Sequence, residues 1–243
     1  MLLIAIACAA FLSTFAGGLL AFRLHDKLHL ILGFSAGAVI GVSFFDLLPE
    51  AIHFAAGPGE AATILAWAAS GFLAYLTFDR ALQFHGAQSA TGHPEPVERH
   101  AAIGPAVLCV HSLLDGIAIG LAFQASRAIG LVVTIAVLSH DFSDGINTMS
   151  LVLKSGGGRR RAMVWLGADA LAPALGIGIA TCLALPHEAF GFMLALFGGF
   201  FLYIGASELI PESYHAHPKF LTTAMTLAGA ALLYLSVRLV GGG

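Results

Sequence analysis

Charge is what this sequence has least of. Only 10% of its 243 residues are Asp, Glu, Lys or Arg, where a soluble domain carries about 25%. Too little polar surface is left to cover a water-soluble globule, and that class is excluded. Cysteine is scarce as well. Cys8, Cys109 and Cys182 all fall in apolar runs, with no CxxC pair and no spacing that suits a disulfide framework. They read as small core residues. No basic tract offers a footprint for nucleic acid, and a net charge of -3 selects no partner.

What remains is hydrophobic: 58% of the residues, with mean hydropathy +0.88. The apolar residues gather into eight runs, at approximately 2–22, 30–52, 61–82, 102–123, 128–152, 162–183, 189–212 and 219–240. Each is near the ~20 residues that a membrane-spanning helix needs. The runs are too long for barrel strands and lack alternation. The expected fold is an all-α polytopic membrane protein, a single domain of eight transmembrane helices in contact with the lipid bilayer. The first run has no cation ahead of it, since Arg23 and Lys27 follow it. It reads as a retained helix with its amino end outside.

The loops support that orientation. With both termini outside, nine of the 11 lysines and arginines fall in inner loops and only Arg127 and Arg238 lie outside. This is a strong positive-inside bias; the expected location is the plasma or inner membrane. The inner stretch 83–101 is rich in Gly, Pro, Ser and Thr and is expected to be a mobile cytoplasmic loop. Its His85, His93 and His100 are either plainly solvated or a weak metal-collecting set.

Eight acids that lie within or at the ends of the expected spans stand out: Asp46, Glu50, Asp115, Asp141, Asp144, Asp169, Glu208 and Glu212. Each costs about 2.5–3.5 kcal/mol at a helix centre. No lysine or arginine stands in a span core to pair with them. Such carboxylates must be protonated, reach water, or receive a cation from outside. Two strings favour the cation. HSLLDG at 111–116 and HDFSDG at 140–145 each place His and Asp four residues apart, on one helix face, followed by Gly. The pairs are His111 with Asp115 and His140 with Asp144, and Asp141 stands beside the second histidine. Gly116 and Gly145 are expected to let the two backbones approach. One histidine alone would be satisfied by an interhelical hydrogen bond. Two copies of the pattern suit a divalent metal: imidazole suits zinc, and carboxylate widens the choice to Cd(II), Fe(II) and Mn(II). The lack of a thiolate argues against a closed structural site.

A second repeat runs from FFDLLPEA at 44–51 to GASELIPES at 205–213. The two copies should point in opposite directions across the membrane, as an inverted 3+2+3 duplication would leave them. Pro49 and Pro211 each free the carbonyl four residues earlier, on Phe45 and Ser207. Asp46, Glu50 and His53 at one face, and Glu208, Glu212, His215 and His217 at the other, suit an entrance and an exit for cations. Either Pro-Glu pair also suits a plain helix end at the water interface. Gly33, Gly37 and Gly41 offer a tight helix contact, within the chain or with a second copy in a homodimer.

HSLLDG, HDFSDG, DLLPE and ELIPE, on eight spans with a histidine-bearing inner loop, resemble the ZIP (Zrt-/Irt-like protein) family of divalent-metal transporters. The resemblance implies that His111, Asp115, His140 and Asp144 ligate the transported ion. It also implies that Ser112 and Asp141 belong to an adjacent second site bridged by Asp115 and Asp144. It implies uptake of Zn(II) and related ions toward the cytoplasm, by rocking or elevator-like motion, with no prosthetic group. The chain departs from the usual H-x-x-P-E-G pattern. Aspartate replaces glutamate, and Leu114 and Ser143 stand where proline is usual, so these spans should be straighter. Ala172 precedes Pro173 where some members carry glutamate, and Asp169, one turn earlier, can substitute.

Other classes compete for the same residues. A proton- or sodium-coupled exchanger would use the acids as a relay. An intramembrane metalloprotease would need HExxH, which is missing. A haem bundle on His111 and His140 would show a Soret band. The metal reading carries a pH expectation, because protons and metal compete for the same ligands. Affinity should fall as pH drops through ~6.5, where an ordinary imidazole protonates. Metal titrations that gave one affinity from pH 7.5 down to 5.5 would remove both histidines from the ligand set.

Overall fold

The computed structural model describes residues 1–24, 28–54, 60–88, 97–154, 156–183, 185–186, 188–215 and 220–240. Among them there is no strand. The helices are α1 (Leu2–Leu24), α2 (Leu28–Val42), α3 (Leu48–Phe54), α4 (Glu60–Gln88), α5 (Val97–Ala125), α6 (Arg127–Lys154), α7 (Arg159–Cys182), α8 (Ala189–Tyr203), α9 (Ile210–His215) and α10 (Phe220–Val240). They supply eight apolar stretches long enough to cross a membrane, with α2–α3 and α8–α9 each acting as one. Helix α4 runs on to Gln88 and α5 begins at Val97, so helical backbone covers both ends of the 83–101 stretch. Residues 89–96 and the side chains of 82–103, including His85, His93 and His100, lie outside the described residues.

The two proline motifs produce the same local structure. Proline cannot donate, so the regular ladder breaks ahead of it. At Ser43–Leu47 and Ile204–Leu209 the helix widens into a π-type turn. The Leu48 N–H reaches back five residues to the Ser43 carbonyl, and the Ile210 N–H to that of Gly205. Each turn therefore sits just before its proline, at equivalent places in the two repeats.

Lipid tails supply no hydrophobic drive for helices to associate, so close backbone packing must do so. The most extensive contacts are α5 with α7, α1 with α6, α2 with α10, and α4 with α8. Each pair interlocks through one glycine on either helix. A Cβ on Gly116 would overlap the Pro173 carbonyl, and one on Gly176 that of Leu113. Gly145 meets Thr14 and Gly17 meets Phe142 in the same way. So do Gly37 with Thr226, Gly229 with Phe34, Gly199 with Ala68, and Gly71 with Leu196. Exchanging the first three spans with the last three, and span four with span five, maps these pairs onto one another. An inverted 3+2+3 arrangement gives this pattern.

The pairs form two groups, α1–α5–α6–α7 and α2–α4–α8–α10, joined chiefly where α2 crosses α6. At that crossing the Ser35 hydroxyl donates to the Ser139 carbonyl at 2.7 Å and lies 3.2 Å from the Ser143 hydroxyl. Gly33, Gly37 and Gly41 all face Thr222, Thr226 and Ala230 of α10 or their neighbours. The stripe is thus used within the chain.

Candidate metal centre

The motif strings sit in unbroken α-helix, α5 through 111–116 and α6 through 140–145. Leu114 and Ser143 keep the N–H groups that proline would remove. Gly116 and Gly145 do not bring these two helices together, as the sequence led one to expect. The backbones they meet belong to α7 and α1, so each glycine clamps its helix against an outer neighbour. That clamping fixes the rotation of α5 and α6 and turns the His/Asp faces toward each other.

The four side chains converge. His111, Asp115, His140 and Asp144 are at most 5% exposed, and each presents an atom within 4.8 Å of the others. Asp115 Oδ2 lies 3.1 Å from His140 Nε2 and 3.3 Å from His111 Nε2. Asp144 Oδ2 lies 3.7 Å from His140 Nε2 and 3.8 Å from His111 Nε2. Bonds of about 2.0–2.2 Å put the ligand atoms of a tetrahedral zinc roughly 3.3–3.6 Å apart. The four separations bracket that range, and small rotations would make them equal. Two carboxylates and two neutral imidazoles carry two negative charges, which one dication cancels.

The outer nitrogens of the two imidazoles are held differently. His140 Nδ1 is 3.0 Å from the Ala136 carbonyl on its own helix. Only a protonated Nδ1 can donate there, so a neutral His140 offers its Nε2 lone pair to an ion in the cluster. His111 Nδ1 is 3.0 Å from the hydroxyl of Tyr75 on α4. Tyr75 was not singled out from the sequence. The available signal was that it is the only tyrosine in the 61–82 run.

The remaining acids are placed separately. Asp169 on α7 is fully buried, and the hydroxyls of Ser112 and Thr148 donate to its two oxygens, both at 2.7 Å. Ser112 therefore faces Asp169. Asp141 is 1% exposed, and neither carboxylate oxygen has a hydrogen-bond partner. Thr148 is a further residue that the sequence did not reveal. Replacing both donors, as S112A/T148V, should leave Asp169 unsatisfied at a cost of about 1–3 kcal/mol per lost bond. A lowered unfolding midpoint in detergent is the expected readout, and an unchanged one would mean the hydroxyls contribute nothing.

The residues marked for a route spread along α2–α3 and α8–α9. Asp46 is buried, with Oδ2 unpartnered, Glu50 and Glu208 are half-buried, and His53 and Glu212 are exposed. The side chain of His215 and all of His217 lie outside the described residues. None of these acids joins the four-residue cluster.

Eight membrane-length helices around a buried His/Asp cluster define an integral membrane protein with a metal-type site inside its spans. The family model described as ZIP Zinc transporter matches residues 90–236, and the chain belongs to that family. It is 26% identical over 197 residues to zinc transporter ZIP13 of Pongo abelii, covering 75% of this chain and 57% of that protein. It is 30% identical over 102 residues to zinc transporter ZIP4 of Homo sapiens, 42% of this chain and 16% of that one. It is 32% identical over 105 residues to metal cation symporter ZIP14 of Bos taurus, 42% and 21% respectively. The chain thus spans little more than half the length of that ZIP13 and less of the other two. The family is one of transporters, which sets the metalloprotease alternative aside.

Proposed function

We propose that the protein carries divalent transition-metal cations across the membrane toward the cytoplasm, Zn(II) first, with Cd(II), Fe(II) and Mn(II) as further substrates. The observation that carries this is the convergence of His111, Asp115, His140 and Asp144 inside the spans, with separations a small dication fits. The names of the zinc transporters and the metal cation symporter it resembles point the same way. Mixed nitrogen and oxygen ligation without thiolate favours an ion that is later released.

Asp141 would extend the site, since its two unpartnered oxygens are available to a second cation shared with Asp115 and Asp144. Ser112 and Asp169, hydrogen-bonded to each other, would complete it. Asp46, Glu50 and His53, and Glu208, Glu212, His215 and His217, would serve as relay ligands at opposite faces. Both termini lie outside in this reading, as the distribution of cations favours.

Proteoliposomes test the proposal. Zn(II) should accumulate inside, and Cd(II), Fe(II) and Mn(II) should compete with it. Proton or sodium exchange that persisted with no metal movement would instead favour the exchanger.

A further inference from the structure

Asp169 is held from both ligand-bearing helices. Ser112 of α5 donates to its Oδ1 and Thr148 of α6 to its Oδ2, each at 2.7 Å. All three residues are at most 1% exposed. The two bonds are not equivalent. The Ser112 bond lies within a helix pair that is already interlocked, since Gly116 meets the Pro173 carbonyl and Gly176 that of Leu113. Among the described residues no glycine interlocks α6 with α7 in this way. The Thr148 bond is thus the tie that runs from Asp169 to α6.

Its place on α6 gives that tie a role. Asp141, Asp144 and Thr148 stand at i, i+3 and i+7, so one face of the helix carries all three. Thr148 ends that face, and its partner Asp169 is brought to the same end. Asp141 lies at the other end, buried, with neither carboxylate oxygen partnered. On α5, Ser112 and Asp115 are likewise three residues apart. A carboxylate has about four lone-pair sites. Two hydroxyl bonds therefore fix the plane of Asp169 without closing it to a cation.

We propose that Thr148 is a positioning residue for the second cation site: its hydroxyl registers Asp169, carried by α7, with Asp141 on α6. Ser112 and Asp169 form the α5–α7 side of that site, and Asp141 forms the α6 side. Thr148 acts through Asp169 and not on the ion. The cluster of His111, Asp115, His140 and Asp144 lies on α5 and α6 alone and does not need this tie. The inference rests on the proposed second site at Asp141.

The test is calorimetric titration of purified full-length protein with Zn(II), comparing wild type with D141A, T148V and T148S. Wild type should bind two ions in two steps. D141A should lose one step, which marks that step as the second site. T148V keeps the shape of the side chain and removes only the hydroxyl. Loss of a group that hydrogen-bonds a ligating carboxylate typically weakens metal affinity by about 10–100-fold. T148V should therefore weaken the step lost in D141A by about 10-fold and leave the other in place. T148S keeps the hydroxyl and loses the methyl, and it should bind as wild type does. If D141A loses its step while T148V moves neither, the inference is overturned and the second site stands. If T148V weakens both steps equally, or T148S behaves as T148V does, the threonine acts through packing and the inference is again overturned. If wild type binds one ion only, or D141A keeps both steps, the second site itself fails and the role of Thr148 with it.

Discussion

Replacing Asp115 and Asp144 together with alanine is expected to abolish Zn(II) uptake into proteoliposomes. It should also weaken Zn(II) binding by about 1,000-fold or more, equivalent to about 4 kcal/mol. The two carboxylates are the only anions within the four-residue cluster. Without them two imidazoles remain, and the four-residue cluster keeps no carboxylate to balance a dication's charge. Desolvating an unpaired ion costs several kcal/mol even after relaxation. The single substitutions should be unequal. Asp115 Oδ2 is nearer to both histidines, at 3.1 and 3.3 Å, than Asp144 Oδ2, at 3.7 and 3.8 Å. D115A should therefore be the more damaging. The pair D115E/D144E should retain measurable uptake, because it restores the carboxylates usual in the family at the expense of one added methylene each. Wild-type uptake by the alanine pair would remove the cluster from the transport route.

A single methyl group at Gly145 is expected to be nearly as disruptive, by a different route. Glycine to alanine in a helix ordinarily stabilises by up to about 1 kcal/mol. Here the new Cβ would overlap the backbone carbonyl of Thr14. No side chain can move aside, so α1 and α6 must separate. Overpacking of this kind costs about 3 kcal/mol, which outweighs the gain in propensity and leaves a net loss of about 2 kcal/mol. The unfolding midpoint of detergent-purified G145A should fall by roughly 4–8 °C. Zn(II) affinity should fall too, because His140 and Asp144 ride on the displaced helix. G178A is the control. Gly178 has no neighbour within 4 Å of a built Cβ, so its midpoint should hold or rise. Equal stability of G145A and wild type would mean that α1 and α6 pack more loosely than this structure has them.

The site was legible in the sequence because lipid makes charge conspicuous. His111, Asp115, His140 and Asp144 stand out in apolar runs, and the i, i+4 spacing puts each pair on one face wherever a helix forms. The flanking residues were harder to read. Thr148 looks like an ordinary span hydroxyl until α7 brings Asp169 against it. Tyr75 sits 36 residues from His111, and no local rule connects the two.

The sequence by itself determined the solvent, the helical class, the spans and the four residues that meet. Those follow from backbone groups that lipid cannot hydrogen-bond and from the cost of each buried charge. Only the tertiary structure decided which helices interlock, that Gly116 and Gly145 clamp outward, and that the two histidines are held from different helix groups. Such choices depend on which backbone carbonyl fits against which glycine. That complementarity exists only once the helices have met.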